Sequence, residues 1–213
     1  MKAPLNAANR VTLLRIGFIP VFGVALLANL PNWGPIWAAA LFTVLAATDA
    51  VDGYLARSRN EVTNFGKLID PLADKLLVTA ALVALVELGS LPAWIALVII
   101  SREFIVTGLR MIALVEGRVI AAGSFGKLKT VLQIIAIVGF IIKDSTPLAR
   151  LGDLVWPGGQ FVAYFDVLTW IVMAAALVLT IWSMLDYFRH ARDVIVLPSE
   201  QAGQTGVSSA EEP

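Results

Sequence analysis

The stretch Asp49-Ala50-Val51-Asp52-Gly53-Tyr54-Leu55-Ala56-Arg57 closes one apolar segment, and Gly66-Lys67-Leu68-Ile69-Asp70-Pro71-Leu72-Ala73-Asp74 opens the next. On a helix, Asp49, Asp52, Gly53 and Ala56 fall at i, i+3, i+4 and i+7, so two carboxylates and two small residues share one stripe. Gly66, Asp70 and Asp74 do the same at i, i+4 and i+8. Two antiparallel helices meeting along these stripes would gather four carboxylates beside residues small enough to admit a ligand. Asp70-Pro71 also reads as a helix N-cap followed by proline at the first helical position, since proline deeper in a helix would break it. A cap accounts for one aspartate, not for four on convergent stripes.

The surroundings of this stretch are unsuited to a soluble domain. Of 213 residues, 58% are hydrophobic and 15% charged, more apolar surface than such a chain could bury in water. A bilayer core of about 30 Å needs roughly 20 apolar residues per helix. That length predicts an all-α integral membrane protein with six transmembrane helices, near Val11–Leu30, Ile36–Leu55, Gly66–Leu88, Ala93–Val115, Phe125–Ile142 and Phe165–Phe188. Helices are expected because lipid offers backbone groups no water, and the alternation of a barrel strand is missing. The turn cluster at residues 31–35, the run Gly89-Ser90-Leu91-Pro92 and a longer loop with Pro147, Pro157, Gly158 and Gly159 separate the spans. The polar start, Met1 to Asn9, leads into a first span and not into a cleavable signal.

Lys2, Arg10, Arg57, Arg59, Lys67, Arg118, Lys127, Lys129, Arg189 and Arg192 fall at ends that six alternating spans place on one face, against Lys143 and Arg150 on the other. Basic residues near span ends stay on the cytoplasmic side, so both termini and the aspartates are expected there. Residues 1–197 form the membrane domain in this reading. The tail from Pro198, rich in Ser, Gly, Gln and Glu, is expected to be a disordered cytoplasmic segment. Trp33, Trp37, Trp94 and Trp156 fit an outer aromatic belt, and His190, the one histidine, fits a headgroup-level position after Tyr187 and Phe188.

Four anions in a low-dielectric pocket require protonation or neutralising cations, and metal ions are the better account. With no cysteine and one distant histidine, the ligands are hard oxygens, which suit Mg²⁺ or Mn²⁺. A pair of such ions clamps phosphoryl groups in line, so diphosphate chemistry is the natural use. A net charge of zero excludes the basic footprint of a nucleic-acid binder.

The pattern Asp49-x2-Asp52-Gly53-x2-Ala56-Arg57-x8-Gly66-x3-Asp70-x3-Asp74 resembles the complete signature of the CDP-alcohol phosphatidyltransferases. The resemblance implies a six-helix fold in the bacterial plasma membrane, homodimeric, with its site open to the cytoplasm. It implies two metal ions at Asp49, Asp52, Asp70 and Asp74, with Asp74 as general base. It places Gly53, Ala56, Arg57 and Gly66 beside the CDP moiety of CDP-diacylglycerol. Asn9, Thr12 and Arg15, three apart at the start of the first span, resemble a family arrangement near the nucleotide; alone, Arg15 would read as a snorkelling side chain.

The fourth span carries Ser101-Arg102-Glu103 and Arg110, and the fifth opens with Gly126-Lys127-Leu128-Lys129-Thr130. Arg102 and Glu103 could form a structural pair, and Arg110, Lys127 and Lys129 could be interfacial anchors. Arg102, however, lies about half a span from either surface, where an unpaired charge is least tolerated. Arginine with lysine makes an anion clamp, which points to an acceptor alcohol bearing a phosphate. These segments, with Gln133, resemble the branch of the family that uses glycerol-3-phosphate. That resemblance assigns Arg102, Arg110, Lys127, Lys129 and Thr130 to the acceptor phosphate. Inositol phosphate would need a similar clamp. A transporter is the rival of another class, because buried charges also line ion paths, but the paired inverted segments it calls for are not visible. A membrane prenyltransferase fits the signature poorly.

Overall fold

Where the sequence predicts six spans, the described residues form seven helices: α1 (Ala7–Leu27), α2 (Gly34–Ser58), α3 (Asn64–Glu87), α4 (Ala93–Val115), α5 (Ser124–Ile142), α6 (Thr146–Val155) and α7 (Gln160–Ile195). The computed structural model describes residues 7–28, 30–58, 64–115, 124–156 and 160–195, with side chains for 12–28, 30–48, 75–111, 128–156 and 160–189. No strand occurs among them. The sequence reading of Asn9 and Lys127 side chains, His190 and the tail falls outside these residues.

Local chemistry explains several helix ends. After Leu27 the chain turns at Asn32, whose φ of 62° is the left-handed value asparagine tolerates, and Pro35 sits in the first turn of α2. At the end of α3, Gly89 takes φ 70°. The Gly89 N–H donates to Val86 O and the Ser90 N–H to Leu85 O, both at 3.0 Å, which is a Schellman cap. The region read as a loop after α5 contains α6, because Pro147 occupies the first turn, where its missing N–H costs nothing. The apolar helices α5 and α6 meet at 93°.

One core joins α1, α2, α3, α4, α5 and α7 through residues such as Phe22, Phe42, Leu85, Ile99, Phe140 and Met173. Between helices in lipid, close contact carries the packing, since lipid tails are as apolar as leucine. The most extensive pairing is α5 with α7. There a Cβ on Gly139 would stand 2.9 Å from both Oγ1 and Cγ2 of Thr169, and the Phe140 and Trp170 rings meet edge to face at 4.9 Å. The hydroxyls of Thr43, Thr107, Thr169 and Thr180 each donate to the carbonyl four residues back, at 2.6–2.8 Å, so none is orphaned in an apolar setting.

The outer surface is apolar. Leu14, Val24, Trp37, Leu97 and Val178 are 60% or more exposed, and the four tryptophans of the expected belt are all exposed. A water-soluble monomer rarely shows so continuous an apolar surface, whereas lipid requires it. Fewer of the described helices than the six expected spans are both long and apolar enough to pass for a span. Among the described residues, Gln160–Arg189 is the one helix long and apolar enough to cross a membrane, and the bent α5–α6 pair adds at most a second. The described apolar parts of α1 and α2, Thr12–Leu27 and Gly34–Thr48, are shorter than a full span, and Arg102, Glu103 and Arg110 interrupt α4.

Candidate functional site

Both halves of the aspartate stretch are helical. Asp49, Asp52, Gly53, Ala56 and Arg57 lie in α2, and Gly66, Asp70 and Asp74 lie in α3, which packs against α2. The spacing argument for two stripes therefore holds at the level of the backbone. Their side chains are outside the described set. One alternative is overturned: α3 begins at Asn64, so Pro71 lies inside the helix and Asp70 is not an N-cap. Among the residues described in full, no three metal-ligating groups come together. The aspartates, outside that set, supply the hard-oxygen donors that a divalent ion of the magnesium type takes, and helical spacing repeats them on one face of each helix.

Immediately beyond Asp74 the structure holds a cluster of four charges drawn from three helices. Glu103 of α4 sits at its centre. One carboxylate oxygen, Oε2, accepts from Lys75 Nζ of α3 at 3.2 Å, while Oε1 accepts from Arg102 Nη1 at 3.1 Å and from Lys129 Nζ of α5. Arg102 Nη2 also donates to Ser183 Oγ of α7 at 2.9 Å, and Ser183 Oγ donates to Thr180 O at 3.0 Å. The Lys129 side chain is 2% exposed, those of Lys75, Arg102 and Glu103 between 12% and 17%. Three cations thus share one carboxylate in a largely dehydrated place. A buried lysine without its counter-charge would be strongly unfavourable, so Glu103 is what allows Lys129 to sit there.

A cavity of about 30 Å³, room for a single water, opens beside the cluster, lined by Lys75, Val78, Glu103, Thr130, Gln133 and Ile134. Gln133 is buried, and Thr130 is exposed at the rim. Arg102 Nε is buried with no hydrogen-bond partner among the described residues. The cluster is therefore positive overall and holds a spare N–H donor, a setting suited to an anion.

Of the residues expected to hold the acceptor phosphate, the structure brings together Arg102, Lys129 and Thr130. Arg110 stands apart, exposed and about 12 Å of helical rise further along α4. Near the start of α1, Thr12 and Arg15 are buried at 6% and 3% exposure, which places Arg15 in the interior and not snorkelling to a surface. Sequence reasoning missed Lys75 and Ser183. Lys75 directly follows Asp74, and its signal was a cation near the middle of a span that the aspartate pattern had already claimed. Ser183 in an apolar helix gave no signal.

Larger cavities lie near the α1–α2 and α3–α4 turns. One of about 170 Å³ is lined by Leu26, Leu85, Phe140 and Asp144 among others, and one of about 300 Å³ by Asn32, Trp33, Thr146, Pro147 and Arg150. Neither gathers groups that could carry group transfer. Nearby, Lys143 Nζ pairs with Asp144 at 3.1 Å and Asp166 at 3.2 Å.

Comparison with known proteins bears on what this arrangement does. Residues 5–182 match the family model described as CDP-alcohol phosphatidyltransferase. A Bacillus subtilis protein named CDP-diacylglycerol–glycerol-3-phosphate 3-phosphatidyltransferase is 48% identical over 151 residues, 65% of this chain and 78% of its own. A Mycobacterium tuberculosis protein named probable phosphatidylglycerophosphate synthase is 39% identical over 192 residues, covering 89% of this chain and 83% of its own. A Haemophilus influenzae protein with the same name as the Bacillus relative is 36% identical over 187 residues, 85% of this chain and 91% of its own.

Proposed function

The chain belongs to the CDP-alcohol phosphatidyltransferase family, and from that premise we propose that it transfers the phosphatidyl group of CDP-diacylglycerol to glycerol-3-phosphate, giving phosphatidylglycerophosphate and CMP. The observation that carries the acceptor is the positive cluster of Lys75, Arg102 and Lys129 around Glu103, reached from α3, α4 and α5. It suits an alcohol that brings its own phosphate, and the names of the relatives supply the identity of that alcohol.

The reaction is a direct displacement. Asp74 accepts the proton of the acceptor hydroxyl, the freed oxygen bonds to the lipid-bearing phosphorus, and the bond from that phosphorus to the CMP oxygen breaks. Asp49, Asp52, Asp70 and Asp74 are the residues that would hold two divalent ions, Mg²⁺ or Mn²⁺. Such ions, when bound, withdraw charge from the diphosphate and stabilise the leaving phosphate. Arg102 and Lys129 orient the acceptor by its phosphate, with Thr130 at the rim; Arg110 and Lys127 are assigned to the same phosphate by the family resemblance alone. Orientation of this kind removes much of the entropic part of the barrier. Asn9, Thr12, Arg15, Gly53, Ala56, Arg57 and Gly66 line the CDP side. The apolar helices keep bulk water from competing with the acceptor.

In the same reading α1, α2, α3, α4, α5 and α7 cross the bilayer, with α6 outside that count, and both termini and the aspartates face the cytoplasm. By length alone α3 and α4, at 24 and 23 residues, suffice for a core of about 30 Å. Residues 1–197 make up the catalytic domain of a homodimer, with the remainder as a tail.

The test is CMP release by the purified full chain in detergent with CDP-diacylglycerol and Mg²⁺, offering glycerol-3-phosphate, inositol phosphate, serine or phosphatidylglycerol. Turnover restricted to glycerol-3-phosphate is expected. Turnover with another acceptor in its place overturns the acceptor, and turnover with none overturns the reaction.

A further inference from the structure

Among the described residues, Glu103 is the one carboxylate within a group of three cations, and its two oxygens divide them by helix. Oε2 takes Lys75 of α3, at 3.2 Å, whereas Oε1 takes Lys129 of α5 together with Arg102 of its own helix. Remove the carboxylate and Lys75, Arg102 and Lys129 would repel one another across a poorly hydrated space. Keep it, and the group retains two positive charges that no described side chain neutralises. A phosphate monoester carries about −1.5 to −2 at neutral pH, which matches that surplus. Arg102 Nε, without a partner among the described residues, offers a donor, and the small cavity is lined by Lys75 and Glu103 themselves, with Thr130 and Gln133.

Resting on the reaction proposed above, we infer that Glu103 is a positioning residue for the acceptor phosphate and that Lys75 is a further cation of that site. Glu103 does not touch the reacting atoms. It holds Lys75 and Lys129 on its two carboxylate oxygens, and it sets the charge of the site so that a dianion completes it while a neutral alcohol leaves it unbalanced. Because Lys75 directly follows Asp74 on α3, the same ion pair fixes the helix carrying Asp70 and Asp74 against α4. The acceptor site and the metal-binding helix are thereby held in register by one carboxylate.

The experiment compares Glu103→Gln, Glu103→Asp, Lys75→Met and Lys75→Arg with the unaltered full chain, measuring kcat and the KM of each substrate separately. Loss of one charge-assisted contact is worth about tenfold in affinity, so Glu103→Gln is expected to raise the glycerol-3-phosphate KM about tenfold or more. The KM for CDP-diacylglycerol should stay near its original value, and Glu103→Asp should recover part of the loss. Lys75→Met should raise the acceptor KM alone, and Lys75→Arg should raise it less. An unchanged acceptor KM in both Glu103→Gln and Lys75→Met overturns the inference, as does an equal rise in both substrates' KM, which marks a general loss of structure. Should Glu103→Gln fail to fold, the Lys75 pair decides by the same criterion. If the unaltered protein turns over a neutral alcohol and no phosphate monoester, the proposed acceptor fails first and the inference goes with it.

Discussion

Gly139 of α5 and Thr169 of α7 are packed so closely that a single added carbon on Gly139 would lie 2.9 Å from the Thr169 hydroxyl oxygen and methyl carbon. Thr169 cannot swing aside freely, because its hydroxyl donates to Phe165 O at 2.8 Å and the residue is 5% exposed. Gly139→Ala is therefore expected to destabilise the α5–α7 pair by about 1–3 kcal/mol, the usual range for an overpacked site. Thermal unfolding in detergent measures this. Adding Thr169→Ala should restore part of the loss, since it removes the two atoms in conflict, and purely additive losses would contradict the contact.

The pairing at the far end of α5 makes a prediction about pH. Burial lowers the pKa of Lys143, but hydrogen bonds to Asp144 and Asp166 outweigh it, and the net effect is a pKa above the usual 10.5. A raised pKa in the folded protein means a contribution to stability that is complete below pH about 10.4, the unfolded value, and lost as pH rises through the folded value. The unfolding temperature of the unaltered protein should thus fall more steeply than that of Lys143→Met above roughly pH 10.5. Parallel curves for the two proteins would remove this role.

Replacing Asp74 by Asn keeps size and hydrogen bonding but removes the proton acceptor and a metal donor. CMP release should fall by roughly a hundredfold to ten-thousandfold, the range attributed to a positioned general base. Size-exclusion behaviour should not change. Activity within about threefold of the original, too small a change for a lost general base, would take Asp74 out of the mechanism.

Chelation gives an independent check. With hard-oxygen donors only, EDTA should abolish turnover, and Mg²⁺ or Mn²⁺ should restore it. Undiminished CMP release after exhaustive chelation would rule out the ion pair.

Arg102→Lys should fare badly although it preserves charge. The guanidinium serves Glu103 and Ser183 with separate nitrogens, at 3.1 and 2.9 Å, and a lysine ammonium on a shorter reach cannot do both while also meeting a phosphate. A rise of about tenfold in the acceptor KM is expected. A KM unaltered by the exchange would mean that charge alone matters there.

These residues also show what a sequence can reveal. Helix-length apolar runs located α1 to α5 to within about four residues, because bilayer thickness and helical rise leave little freedom, whereas α7 runs well past both ends of its expected span. The short α6 was hidden by Pro147, read as part of a loop although a first-turn proline is harmless. Pro71 offered a helix start as an alternative; the span expected from Gly66 already put it inside the helix, and the structure does the same. Arg102 was legible as a charge in the wrong solvent, and Lys129 as a basic residue at a span end that the family resemblance tied to the acceptor phosphate. Their convergence on Glu103, with Lys75 as the third cation, was not, since nothing in a linear pattern says which face of α3 meets α4.

The wiring of Glu103 has a bearing on biogenesis. Charged residues near a helix centre cost about 2.5–3.5 kcal/mol each on insertion scales, so α4, with Arg102 and Glu103 side by side, is a poor candidate to leave the translocon alone. Its partners arrive at different times: Lys75 is synthesised before it and Lys129 after it. Chains truncated between α4 and α5 should accordingly insert α4 less completely than chains extended past Lys129, which glycosylation tags can report. A charge network that favours one substrate in the finished protein would then also dictate that three helices enter the lipid as a group.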